Sequence, residues 1–108
     1  MTAPLRLPQP PAEQLPRGLL IITRYQGATP ARGSRIQATC KRDSATTFRA
    51  SVPYDDTHGQ LDAHYQGALA LLRRIEAQND RLSFTIQAVG NSHIGYAWIT
   101  EAHAREAG

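Results

Sequence analysis

Apolar and polar residues alternate through much of this chain, and the points where the period changes divide it into elements. Residues 34–41 show the clearest period of two. Ile36, Ala38 and Cys40 fall on one side, and Arg35, Gln37, Thr39 and Lys41 on the other. Such alternation marks a strand with one buried and one solvated face. Residues 45–52 repeat it, with Thr46, Phe48, Ala50 and Val52 inward and Thr47, Arg49 and Ser51 outward. Arg42, Asp43 and Ser44 between the two runs read as a hairpin turn. An earlier run, residues 19–25, is rich in β-branched and aromatic residues and predicts a first strand. Gly27, Pro30 and Gly33 punctuate the loop that follows it.

Beyond Pro53 the period lengthens. Leu61, Tyr65, Ala68, Leu72 and Ile75 are spaced four, three, four, three, with Leu69 widening the stripe. This predicts an amphipathic helix of about five turns. Thr57 and Gln60 suit a capping box at its start, and Asp55 and Asp56 suit its positive end. Period two then returns: Leu82, Phe84, Ile86 and Ala88 alternate with Ser83, Thr85, Gln87 and Val89. Residues 90–93 read as a turn, residues 94–100 as a short fifth strand with Tyr96 and Trp98, and residues 101–108 as a frayed helical tail. The order strand–strand–strand–helix–strand–strand predicts an α+β fold: an antiparallel sheet with one long amphipathic helix packed on one face, since a single helix covers only one side.

Ahead of the first strand, Pro4, Pro8, Pro10, Pro11 and Pro16 exclude helix and central strand over residues 1–17, which predicts a flexible proline-rich arm. Residues 18–100 then form one α+β domain, and 101–108 the tail. At 108 residues the chain has the length of one domain, and its one cysteine excludes an internal disulfide, which fits a reducing compartment. No apolar run nears the roughly 18 residues of a membrane span. A cytoplasmic protein without a membrane partner is expected.

Charge changes the picture most. Residues 1–52 carry eight Lys/Arg against two Asp/Glu, while residues 53–108 carry four against seven. Eleven of the twelve cations are arginine, whose planar fork suits phosphate and carboxylate. The outward residues Arg35, Lys41, Arg42 and Arg49, together with Arg32 in the preceding loop, form a candidate basic strip for nucleic-acid backbone. Such contacts give affinity without reading sequence. Exposed stacking groups are scarce, because Phe48 and Phe84 fall on core faces, leaving Tyr25, Tyr96 and Trp98.

Other candidate chemistry is thin. The loop from Gly27 to Ser34 superficially resembles a phosphate loop, but Arg32 precedes Gly33, the lysine is absent and a strand follows instead of a helix. Asp55, Asp56 and His58 group two carboxylates with an imidazole, yet the helix start accounts for the acids, and His58 and His64 point to different helix faces. Cys40 reads as a small buried hydrophobe. No catalytic residue, metal site or cofactor is expected.

Thr29, the run Arg32-Gly33-Ser34-Arg35-Ile36 with Ala38, then Pro53-Tyr54-Asp55, His64 and the Ala-rich stretch 68–72 together resemble a group of small bacteriophage and plasmid proteins. In that group an RGSR-I-x-A strand start precedes a PYD turn and an H-x-x-A helix. The resemblance covers about residues 20–99 and implies an accessory protein of a mobile genetic element, without assigning functional residues. Two roles are then open: binding DNA or RNA, or binding a host protein so as to modulate or inhibit a host enzyme or defence system. For the RGSR segment itself a structural role competes, with Gly33 permitting an unusual turn and Arg32 and Arg35 paired to Asp55 or Asp56.

Overall fold

The computed structural model describes residues 7–54, 57, 59–79 and 81–105. Five strands, β1 (Leu20–Gln26), β2 (Arg35–Lys41), β3 (Thr47–Pro53), β4 (Leu82–Ser92) and β5 (Gly95–Ala104), flank one helix, α1 (Gln60–Gln78), placed between β3 and β4 in the chain. They form a single sheet in the order β3-β2-β1-β5-β4 with every pair antiparallel. The architecture is α+β, as the alternation predicted. β3 and β4 are the two edges, so α1 must cross the sheet to join them. It packs on β3, β2 and β1 and reaches β4.

The core lies between α1 and one sheet face. Ile21, Ala38, Cys40 and Trp98 from the strands meet Ala68, Leu71, Leu72 and Ile75 from the helix. Burying a side chain such as Ile21 or Leu71 contributes roughly 1.5–3 kcal/mol. Gly67 sets the helix-to-sheet distance, because a Cβ there would stand 2.8 Å from Ile36 Cγ2. Glycine weakens a helix interior by about 1 kcal/mol relative to alanine, and the close approach to Ile36 offsets that.

The helix departs from its predicted stripe. It starts at Gln60, with Gly59 as the N-cap and no side-chain cap, so Thr57 lies ahead of it. Asp62 is its first-turn acid, and Asp55 and Asp56, expected near this end, lie outside the described residues. The buried residues are Ala63, His64, Gly67, Ala68, Leu71, Leu72 and Ile75, whereas Leu61 is 48% exposed. Small residues and a histidine face the sheet, and hydrophobicity alone does not mark such positions as inward.

Strands β4 and β5 are longer than predicted. Ile86 pairs with Thr100 but Ala88 with Ile99, so Gln87 is an inserted residue, a bulge that shifts the alternation. Ala88 is consequently exposed. Residues 101–104, expected as a helical turn, continue β5 because β4 offers them a ladder: Glu101 pairs with Thr85 and His103 with Ser83. At the other end, residues 7–18 are exposed, with one 3-10 turn at Ala12–Gln14. The chain joins the sheet where the Ala102 N–H donates to the Arg17 carbonyl at 2.8 Å and the Thr100 N–H to the Leu19 carbonyl at 3.1 Å.

Candidate binding face

The helix covers one face of the sheet and leaves the other open. Alternation and register place Arg24 of β1 beside Gln37 of β2, Thr39 beside Arg49 of β3, and Lys41 beside Thr47, all on the open face. These strands border a cleft of about 480 Å³. Arg24, Lys41 and Arg49 supply its cations, Gln37 and Thr39 its neutral polar groups, and Leu20, Ile22 and Ile94 its apolar part. Arg24 Nε donates to Gln37 Oε1 at 3.1 Å, and Gln26 Nε2 donates to the same oxygen at 2.8 Å. The Gln37 amide therefore fixes the Arg24 guanidinium at the cleft. No carboxylate lines the cleft among the described residues.

The five sequence-selected cations fall in three places, not one strip. Lys41 and Arg49 line the cleft. Arg35 begins β2 on the same face, and Arg32 precedes it in the loop; both line a second hollow of about 200 Å³. Arg42 instead lines a hollow with Phe48, Ile75 and Asn79 near the end of α1. The hairpin turn takes it there. The N–H groups of Arg42 and Asp43 both donate to the Thr46 carbonyl, at 3.0 and 3.4 Å. Asp43 Oδ1 accepts from the N–H groups of Ala45 and Thr46, each at 2.8 Å. Those two amides hold the Asp43 carboxyl below its ordinary range. Asp55 and Asp56, considered as partners for Arg32 and Arg35, lie outside the described residues, as does His58.

Two features of the open face escaped sequence reading. Arg24 belongs to it, which follows once Ile21 and Thr23 are known to point inward. The apolar part belongs to it as well. Leu20 and Ile99 are cross-strand partners at 54% and 49% exposure, and Ile94, which lines the cleft just before β5 begins, is 46% exposed. The run Leu19-Leu20-Ile21-Ile22 was the signal, since unbroken apolar strands serve both faces. Aromatic rings are elsewhere. Trp98 is buried against α1, and Tyr25 meets Tyr54 edge-on with ring centres 5.2 Å apart.

On the covered face, three buried polar side chains form a chain. Trp98 Nε1–H donates to Thr23 Oγ1 at 2.9 Å, and Thr23 Oγ1 lies 2.8 Å from His64 Nδ1. Trp is only a donor, so the Thr23 hydroxyl is free to give its own proton to Nδ1. The other ring nitrogen, His64 Nε2, is buried without a partner. Burial pushes the His64 pKa below its ordinary value. Burial likewise raises the Cys40 thiol, which keeps it protonated and inward as a packing group.

What the open face can do is bind. It offers cations held on adjacent strands, beside half-exposed aliphatic groups, in a shallow cleft. No helix among the described residues is long and apolar enough to cross a membrane. Compared with family models, with curated proteins and with solved structures, the chain matches none of them.

Proposed function

We propose that this chain is a non-catalytic, cytoplasmic accessory protein of a mobile genetic element, and that it binds nucleic-acid backbone on the open face of its sheet. One observation carries the reading: Arg24, Lys41 and Arg49, from three adjacent strands, border one cleft that no carboxylate lines among the described residues. Cations so placed bind phosphates through counterion release, without selecting sequence. The scarcity of rings on this face argues for contact with backbone, since stacking of bases would need aromatic platforms.

A second reading is a protein-interaction module that modulates or inhibits a host enzyme or defence system. The apolar lining of the cleft, Leu20, Ile22 and Ile94, favours it, because contiguous apolar surface with a polar rim marks protein contact sites.

Binding of the purified protein to single-stranded DNA, duplex DNA and RNA at two salt concentrations separates the two. Under the first reading, affinity falls steeply with salt, and an Arg24/Lys41/Arg49→Ala variant loses binding and flattens the slope by about one unit per phosphate contact removed. Absence of binding at low salt overturns it. A stoichiometric host-protein complex that survives moderate salt and is lost on Leu20→Asp would then support the second.

A further inference from the structure

The RGSR segment lines its own hollow, apart from the cleft. Arg32, Gly33, Ser34 and Arg35 form one wall and Ser51 and Pro53 another, at the end of the sheet where β2 begins and β3 ends. Three observations converge on it. The first is an unmet donor. Arg35 lines the hollow, and its Nη1, covered by the surrounding protein, hydrogen-bonds to nothing, which is costly for a charged group.

The second is a held loop. The Thr29 N–H donates to the Arg32 carbonyl at 2.7 Å, and the Arg32 N–H donates back to the Thr29 carbonyl at 3.2 Å and to Thr29 Oγ1 at 3.1 Å. This closes a turn over Pro30 and Ala31 and fixes the backbone from which the Arg32 side chain leaves. The third is a glycine that the backbone does not need. No described glycine has a positive φ, and nothing lies within 4 Å of where a Gly33 Cβ would stand. The unusual turn expected of Gly33 is absent. Gly33 lines the hollow, and the space beside its Cα is open.

We propose that this hollow is a binding site for a phosphate-type oxyanion, held by the guanidinium groups of Arg32 and Arg35, with the Ser34 and Ser51 hydroxyls as further donors. A planar guanidinium matches the edge of a tetrahedral oxyanion with two parallel N–H donors. No carboxylate lines the hollow among the described residues. The site does not depend on the open-face reading. It adjoins that face, since Arg35 is two residues from Gln37 along β2 and Ser51 two from Arg49 along β3. The phosphate can thus be free or the terminal group of a strand lying along the cleft.

The test is a titration of the full chain with inorganic phosphate, followed by amide and arginine side-chain NMR at constant ionic strength. Saturable shifts at Gly33, Ser34 and Arg35 are expected. They should weaken at least tenfold in Arg35→Gln and in Gly33→Val, and persist in the Arg24/Lys41/Arg49→Ala variant. Gly33 lines the hollow and its φ is not positive, so Gly33→Val adds bulk at the lining without backbone strain and carries the test if Arg35→Gln does not fold. A second arm compares a short oligonucleotide with and without a 5′-phosphate. Tighter binding of the phosphorylated form, abolished by Gly33→Val, assigns the terminal phosphate. Equal binding, with the phosphate shifts present, assigns the free ion. No saturable shift in the parent chain, or unchanged phosphate binding in Gly33→Val, overturns the proposal. Loss of nucleic-acid binding in the cleft variant with phosphate shifts intact leaves this site standing by itself.

Discussion

On the helix-covered face, Ile21 and Thr23 of β1 are fully buried; on the open face, Leu20 of the same strand keeps 54% of its exposure. The two sets differ by one step of the pleat. Under α1, side chains meet closely enough that Gly67 leaves no room for a methyl group beside Ile36. On the far side, aliphatic groups and arginines share a cleft that no element among the described residues covers. One face is therefore committed to holding the fold, and the other is free to vary in charge without disturbing it. Substitutions on the two faces should part company: those under the helix cost stability, and those on the open face change what the protein binds.

The largest effect is expected at Ile21. Ile21→Ala removes a fully buried side chain from the centre of the sheet and should cost about 2–5 kcal/mol, read as a lower urea midpoint. A loss below 1 kcal/mol would mean that the covered face is not the core. Next is Thr23→Val, which keeps the shape but deletes the hydroxyl that serves both Trp98 Nε1 and His64 Nδ1. Two buried groups lose their partner, so a loss of about 1–3 kcal/mol is expected by the same measurement. A neutral result would show that the polar chain adds nothing beyond packing.

His64 gives the covered face a pH dependence. Burial holds its folded pKa below the ordinary value of about 6.5. Between those two values the unfolded chain binds the extra proton and the folded one does not. Stability is therefore complete above about pH 6.5 and declines as pH falls towards the folded pKa, below which it levels off. The urea midpoint should drop between pH 7.5 and 5.5, and His64→Gln should shrink that drop. Direct NMR titration of the His64 ring at or above 6.5 would remove the basis for it.

Much of this division was legible in the chain. Ile36, Ala38 and Cys40 alternate cleanly because β2 is flanked by a strand on each side and covered on one face only, so its pattern is undisturbed. Arg35, Lys41 and Arg49 were placed outward by the same rule. The rest depended on contacts distant in sequence. His64 and Gly67 face the sheet because Thr23 and Ile36 lie opposite them, and neither residue looks inward by hydrophobicity. Residues 101–104 are alanine-rich enough to suggest a helix, yet β4 supplies the ladder that makes them strand. Gln87 hides its bulge, since an inserted residue leaves no mark beyond the exposed Ala88. Leu20 and Ile22 sit in an unbroken apolar run, which signals apolar side chains on both faces but not that only one face is covered.

The smallest effect should come from the apolar part of the open face. Leu20 and Ile99 stand directly opposite each other on β1 and β5, each about half exposed. Cross-strand pairs of this kind contribute roughly 0.2–1 kcal/mol, and Leu20→Ser or Ile99→Ser leaves no cavity for neighbours to collapse into. The double-mutant cycle should give a coupling within that range, and each single change should move the urea midpoint far less than Ile21→Ala does. If Leu20→Ser instead destabilises as much as Ile21→Ala, the open face is covered in solution, by the arm or by a second copy of the chain. Sedimentation of the parent protein would then distinguish those two covers. If the change is nearly neutral, Leu20 and Ile99 are held at the surface without benefit to the fold, and their retention has to be explained by what docks beside Arg24, Lys41 and Arg49.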